Sequence, residues 1–160
     1  MKAQKPLFIE LPQHESTQEL GAILAKALTP PAIICLTGEL GSGKTTFSQG
    51  FIRALGITQR ITSPTVNLVH PYTDSNIPIH HLDVYRLHTF DELLDLGFDE
   101  FYKKGFTLIE WANHFEKELA LYSPIYLTLE HQDKGRRARL SLPRQNTDLI
   151  SALQNKFNIG

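Results

Sequence analysis

The sequence has little of what marks secreted or membrane proteins. It contains a single cysteine, Cys35, so no internal disulfide can form. No stretch approaches the ~18 consecutive apolar residues of a transmembrane helix. The residues after Met1 include lysines but no long apolar segment of the kind found in a secretory signal. We therefore expect a cytoplasmic protein with no membrane span, in which Cys35 is a buried core residue.

The sequence also lacks an excess of charge of one sign. Sixteen basic residues nearly balance seventeen acidic ones, and the net charge is −1. This balance gives no support to a protein that coats nucleic acid or lies on a membrane surface. Hydrophobic residues make up 41% of the 160 positions, as in ordinary globular proteins. We expect one domain over residues 1–160.

Apolar periodicity predicts alternating strands and helices. Ser16 to Glu19 and Thr89 to Glu92 have the spacing of a capping box, so we expect helices to begin there. Helices are also predicted over 44–55, 111–121 and 147–158. The predicted strands cover residues 7–11, 32–37, 66–72, 77–85, 106–110, 125–130 and 137–142. Two of the strand pairs read as hairpins, which predicts an α/β fold of three layers with a mixed β-sheet.

A glycine-rich segment stands between the strand 32–37 and the helix that follows it. It reads Gly38-Glu39-Leu40-Gly41-Ser42-Gly43-Lys44-Thr45 and fits the phosphate-loop pattern G-x-x-x-x-G-K-[ST]. Glycines let backbone N–H groups approach phosphate oxygens closely, and the helix N-terminus adds partial positive charge. Lys44 can reach the β- and γ-phosphates, and the Thr45 hydroxyl suits Mg²⁺. The segment predicts an ATP site of the P-loop NTPase type.

Such a site usually has a carboxylate at the end of a neighbouring strand, on the metal side. Two residues qualify. Glu110 ends the apolar strand 106–110, and Asp83 follows His80, His81 and Leu82 in a second strand-like segment. Adjacent residues of a strand point to opposite faces, so His80 and His81 are poorly placed to chelate one ion together. The residues alone leave Glu110 and Asp83 as alternatives.

The motifs in this order resemble the TsaE (YjeE) family, bacterial ATPases of tRNA threonylcarbamoyladenosine biosynthesis. The segment Thr37 to Thr46 matches the family's phosphate loop, and Ser63-Pro64-Thr65 its switch segment. His81-Leu82-Asp83-Val84-Tyr85-Arg86 is similar to the H-x-D-x-Y-R signature, and Ile109-Glu110-Trp111 to the I-E-W signature. Thr17 stands where the family has a threonine near the start of the first helix. The resemblance spans about residues 8 to 142, although Asn67 departs from the family's usual switch sequence.

The resemblance implies a small ATPase that is weak alone and works with the proteins TsaD and TsaB on adenosine 37 of tRNA. Lys44, Asp83 and Glu110 would act in catalysis, and Thr45 and Glu110 would hold Mg²⁺. The nucleotide would contact residues 38–46 together with Thr17 and Thr65. Trp111 would lie close to the site, either stacked on a ligand or as a core aromatic residue.

Other functions remain open at this stage. A small-molecule kinase shares the phosphate loop but needs a lid and an acceptor pocket, and the sequence has no Arg-rich helical lid segment. A nucleotide-binding scaffold would bind without turnover, and the acidic candidates argue against it. A basic cluster near the C-terminus is either a solvated hairpin or a contact for tRNA, a partner or the nucleotide. It comprises Lys134, Arg136, Arg137, Arg139 and Arg144.

Overall fold

The structure is a computed structural model that describes residues 4–64 and 68–159. Strands and helices alternate along the chain, as the periodicity predicts. The strands are β1 Leu7–Leu11, β2 Ala32–Thr37, β3 Val69–Tyr72, β4 Ile79–Asp83, β5 Phe106–Glu110, β6 Ile125–His131 and β7 Arg136–Ser141. The helices are α1 His14–Ala27, α2 Lys44–Ala54, α3 Phe90–Asp95, α4 Phe98–Phe101, α5 Glu116–Ala120 and α6 Thr147–Lys156, with a 3₁₀ helix over Ala112–Phe115.

The strands form one seven-stranded mixed sheet in the order β1-β7-β6-β2-β5-β4-β3. The four central strands β6, β2, β5 and β4 run parallel, and both predicted hairpins are present at the flanks. The carboxyl ends of β2, β4 and β5 therefore meet at one edge of the sheet. This edge is where ligands bind in open sheets of this kind.

Each face of the sheet has its own apolar core. On one face, buried side chains of the sheet pack against α1, α2 and α6. The core of the other face is built with side chains of α3, α4, α5 and the 3₁₀ helix. This arrangement confirms the predicted three-layer α/β fold with a mixed sheet. Cys35 is fully buried in the second core, where burial raises the pKa of its thiol to about 12.

Helices α1 and α2 pack so closely that their backbones are in direct contact at glycine positions. An added Cβ on Gly21 would lie 2.7 Å from Phe51 N, and one on Gly50 would lie 2.7 Å from Gln18 Cα. Side chains of ordinary size would hold the helices further apart. The contact brings Thr17 of α1 beside the start of α2, with its Cγ2 atom 3.5 Å from an added Cβ on Gly43.

Two sequence-based predictions of helix geometry were wrong in detail. The first helix begins at His14, where the Gln13 N–H group donates to Ser16 Oγ at 3.2 Å, and not at the predicted box of Ser16 and Glu19. The backbone of Trp111 is left-handed, with φ 62°, so no continuous helix starts there. The chain instead makes a 3₁₀ turn and then the short helix α5. The second capping box, Thr89 with Glu92, is present as predicted.

Helix α4 was absent from the sequence-based prediction. Gly97 turns the chain after α3, with φ 97°, and α4 follows it directly. None of the helices in the described ranges is both long and apolar enough to cross a membrane.

Candidate functional site

The glycine-rich loop connects β2 to α2 at the carboxyl edge of the sheet. Gly38, Gly41 and Gly43 all have positive φ, at 141°, 78° and 110°. Gly38 cannot carry a side chain, because an added Cβ would lie 2.5 Å from Ser42 Oγ and 2.6 Å from Leu129 O. The loop thus takes the tight path that its glycines predict, and α2 begins at Lys44 with its N-terminus facing the loop.

Lys44 lies inside the loop and is 5% exposed. Its Nζ atom donates hydrogen bonds to Gly38 O at 2.7 Å and to Glu39 O at 3.1 Å. Burial lowers the pKa of the Lys44 ammonium group, and the charges of Glu110 and Asp83 oppose that shift. The buried ammonium group is therefore a positive charge close to two carboxylates.

Asp83 and Glu110 end the neighbouring parallel strands β4 and β5 and face each other in the register. They are 4% and 3% exposed. The Tyr85 N–H group donates to Asp83 Oδ1 at 2.9 Å. Asp83 and Glu110, the two candidates for the metal-side carboxylate, are therefore adjacent parts of one site. They line a cavity of about 360 Å³ with Leu40, Gly41, Gly43, Lys44, Thr45, Thr46, Ser63 and Trp111.

His81 is in contact with Glu110 beneath this cavity. The Nε2 atom of His81 lies 2.7 Å from Glu110 Oε2, and the side chains are 0% and 4% exposed. His80, the neighbouring residue of β4, stacks on Phe101 with ring centroids 4.3 Å apart. The two histidines point to opposite faces of the sheet, as predicted.

Trp111 lies over the Lys44 side chain. The Nζ atom is 4.3 Å from the centroid of the Trp111 ring, within the range of a cation–π interaction. The exposed ring of Tyr85 lies 5.0 Å from the Trp111 ring. The left-handed backbone at Trp111 directs the ring into this position. Trp111 is half-buried at the mouth of the site, where it covers the lysine.

A second cavity of about 370 Å³ lies on the other side of the loop. Its walls include two of the threonines implicated by the sequence, Thr17 and Thr46, and the Arg136 side chain. Leu11, Pro12, Gln13, His14, Gly41, Gly43 and Gly135 complete the lining. The phosphate loop is thus flanked by one cavity with carboxylates and another with hydroxyl groups and an arginine.

The basic cluster divides into residues with different surroundings. Arg136 donates from Nε to Ser42 O at 3.2 Å and from Nη2 to Gly41 O at 3.1 Å, so it braces the phosphate loop. Arg137 forms a surface ion pair with Glu130 at 2.8 Å. Arg139 and Lys134 are exposed. Only Arg136 of the predicted cluster reaches the loop among the described residues.

The loop has the features that phosphate and Mg²⁺ require. Ser42 Oγ is buried and has no hydrogen-bond partner within the described part of the chain. Glycine backbone, a helix N-terminus, a lysine and a threonine converge on one cavity with two carboxylates. These are oxygen ligands and N–H donors of the kind that bind Mg²⁺ and phosphate. Thr65, implied by the resemblance, lies outside the described residues.

Two contacts were missed by the analysis of single motifs. The sequence offered a signal for His81, because it precedes Asp83 by two positions and so shares its face of β4. Nothing in the sequence pointed Arg136 to Gly41 and Ser42, since that contact joins residues more than 90 positions apart.

Comparisons with known proteins identify the family of the chain. Residues 11–140 match the family model described as threonylcarbamoyl adenosine biosynthesis protein TsaE. A relative from Bacillus subtilis (strain 168), named tRNA threonylcarbamoyladenosine biosynthesis protein TsaE, is 42% identical over 106 residues, 66% of each chain. A relative of the same name from Nostoc sp. is 39% identical over 150 residues, which cover 89% of this chain and 91% of the relative.

The crystal structure of Bacillus subtilis YdiB has the same architecture. It superposes with a TM-score of 0.74 at 26% identity and covers 97% of both chains. The fold, the loop, the paired carboxylates and the family match over residues 11–140 lead to one assignment. The chain belongs to the TsaE family.

Proposed function

We propose that the protein is a Mg²⁺-dependent ATP-binding and ATP-hydrolysing subunit of the machinery that makes N6-threonylcarbamoyladenosine at position 37 of tRNA. It acts with TsaB and TsaD and does not transfer the threonylcarbamoyl group itself. One observation carries the proposal. Lys44 and Thr45 at the N-terminus of α2 line the same cavity as the buried carboxylates of Asp83 and Glu110, in a chain of the TsaE family.

Backbone groups of residues 38–46 would bind the phosphates. The positive φ angles of Gly38, Gly41 and Gly43 let successive N–H groups face one concave surface, which suits an anion. The N-terminus of α2 adds the partial positive charge of its unpaired N–H groups. The nucleoside would extend into the second cavity, beside Thr17 and Thr46.

Lys44 would stabilise charge on the γ-phosphate during transfer to water. Its Nζ atom now donates to two carbonyl oxygens of the same loop. Both acceptors are backbone carbonyl oxygens of the loop that would bind the phosphates, so a phosphate oxygen can replace them at the Nζ atom. A charged donor held in a water-poor site stabilises developing negative charge more strongly than water does.

Thr45 and Glu110 would hold Mg²⁺, since a hydroxyl group and a carboxylate are ligands that this ion prefers. In this place the ion would supply positive charge that offsets the negative charge of the phosphates. Asp83 or Glu110 would orient the attacking water by accepting a hydrogen bond from it, since both carboxylates line the cavity. The position of Asp83 is fixed by the Tyr85 N–H group.

A change in the segment 63–67 would report phosphate loss to the partner proteins. Ser63 lines the carboxylate cavity, so the segment begins within reach of the γ-phosphate. Loops in this position commonly order on a triphosphate and relax after hydrolysis. The names of the relatives, which place them in tRNA threonylcarbamoyladenosine biosynthesis, support the choice of partners.

The variant Glu110→Gln tests the role of the metal-side carboxylate. The change keeps the shape of the side chain and removes its charge. We expect ATP hydrolysis to fall roughly 100-fold, and the Mg²⁺ concentration for half-maximal activity to rise. Steady-state phosphate release across a Mg²⁺ titration measures both quantities.

Glu118→Gln is the matched control, because Glu118 is exposed on α5 outside both cavities. It should behave as the unmodified protein does. Equal activity and equal Mg²⁺ dependence in Glu110→Gln and Glu118→Gln would remove Glu110 from the site.

A further inference from the structure

The buried contact between His81 and Glu110 has no part in the function proposed so far. Nε2 of His81 and Oε2 of Glu110 are 2.7 Å apart, and neither side chain has more than 4% of its surface exposed. A carboxylate accepts hydrogen bonds, so the His81 Nε2–H group is the donor. The contact joins β4 to β5 directly below the cavity.

The ring of His81 is directed by this contact. Its second nitrogen, Nδ1, is buried and has no hydrogen-bond partner in residues 4–64 and 68–159. Burying a ring nitrogen without a hydrogen-bond partner costs free energy, which a strong hydrogen bond at the other nitrogen can offset. The bond to Glu110 is charge-assisted and short, as strong hydrogen bonds are. Packing and the β4 backbone hold the His81 ring in place, and the ring in turn holds the Glu110 carboxylate.

The contact between His81 and Glu110 also bears on whether Glu110 can form an ion pair with Lys44. Lys44 and Glu110 line the same cavity and carry opposite charges, so the two groups attract each other. Lys44 nevertheless donates to the loop carbonyl oxygens of Gly38 and Glu39. No ion pair between Lys44 and Glu110 forms in the described part of the chain. A carboxylate held by His81 on Oε2 cannot turn both of its oxygens toward the lysine.

We propose that His81 is a positioning residue that holds Oε2 of Glu110 and presents Oε1 to Mg²⁺. The inference rests on the proposed function, because it assigns Glu110 to the metal. His81 limits the rotamers of the Glu110 side chain and keeps it from pairing with Lys44. Hydrogen-bond partners of metal ligands commonly contribute about 10- to 100-fold to metal affinity or activity.

Two substitutions at His81 show whether the position of the hydrogen-bond donor matters or only the presence of a polar side chain. A glutamine side chain places its amide nitrogen near the position of Nε2, whereas an asparagine side chain reaches only to the position of Nδ1. His81→Gln therefore keeps the donor to Glu110, and His81→Asn loses it. Both variants keep a buried amide, and because asparagine is one methylene shorter, the thermal stability of each variant is measured to account for the difference in packing.

The measurement is calorimetric binding of a non-hydrolysable ATP analogue, once in excess chelator and once across a Mg²⁺ titration. For His81→Asn we expect the Mg²⁺ affinity of the analogue complex to fall about 10- to 100-fold. Affinity in chelator should stay within about twofold, because the phosphate loop itself is unchanged. His81→Gln should recover most of the loss. Thermal unfolding of both variants shows whether each is folded.

Three outcomes would count against the inference. Unchanged Mg²⁺ dependence in His81→Asn would show that Glu110 needs no positioning. Equal losses in His81→Asn and His81→Gln would reduce His81 to a structural residue. An unmodified protein whose analogue binding ignores Mg²⁺ would overturn the proposed function, and the inference with it. If His81→Asn does not fold, His81→Leu replaces it with the same expectation.

Discussion

Replacing Lys44 by alanine is expected to lower ATP hydrolysis by roughly 100-fold or more. Lys44 is the one lysine that lines the carboxylate cavity in the described residues. The substitution removes the charged donor that we propose for the γ-phosphate. The reaction would still have the loop N–H groups, so residual turnover above the uncatalysed rate is expected. Phosphate release at saturating Mg²⁺ and ATP gives the ratio directly.

The fold should tolerate the loss of Lys44. Within residues 4–64 and 68–159, the Nζ atom donates to loop carbonyl oxygens and lies over the Trp111 ring, and neither contact belongs to the apolar cores. Lys44→Met, which keeps an unbranched chain beneath Trp111, should match Lys44→Ala in activity. Lys117→Ala, at an exposed position of α5, is the control and should retain full turnover. Activity in Lys44→Ala equal to that of Lys117→Ala would contradict the site.

Replacing Gly50 by alanine is expected to destabilise the protein by about 3 kcal/mol. Gly50 lies in α2, where alanine normally favours the helix over glycine by about 0.5–1 kcal/mol. Here the sign reverses, because the added Cβ would overlap the backbone of Gln18 in α1. Backbone atoms cannot rotate aside as a side chain can, so the helices must separate. Urea unfolding followed by circular dichroism measures the change.

Separation of the helices has a consequence for the site. Thr17 of α1 would move away from Gly43, and the second cavity would widen. We therefore expect weaker nucleotide binding in Gly50→Ala even at temperatures where it is folded. Lys26→Ala, exposed on α1, should leave both stability and binding close to those of the unmodified protein. A Gly50→Ala protein as stable as Lys26→Ala would show that the helices can separate at no cost.

The elements that local chemistry specifies are the ones that the sequence predicted well. Glycines and Lys44 specify the loop, Thr89 with Glu92 specifies the start of α3, and Pro30 and Pro31 follow the end of α1. Continuous apolar runs specify the parallel strands, and those strands bring Asp83 and Glu110 to one edge. Periodicity and turn chemistry act over a few residues, which a single sequence displays.

The remaining features depend on contacts between distant parts of the chain. Trp111 leaves the helical path that its sequence context predicted, and its ring then lies over Lys44. Arg136 reaches the phosphate loop only because β7 pairs with β6, beside β2. The partnership of His81 with Glu110 requires β4 and β5 to be neighbours, which the order of segments along the chain does not reveal.

The most direct test of the whole account is ATP hydrolysis by the purified protein with and without the TsaB–TsaD complex of the same cell. Lys44→Ala serves as the negative control in both samples. We predict slow turnover by the protein alone, stimulation by the complex, and loss of that stimulation in the variant. Turnover that is equal with and without the complex would contradict a partner-coupled ATPase. Absence of turnover in both samples would contradict hydrolysis itself.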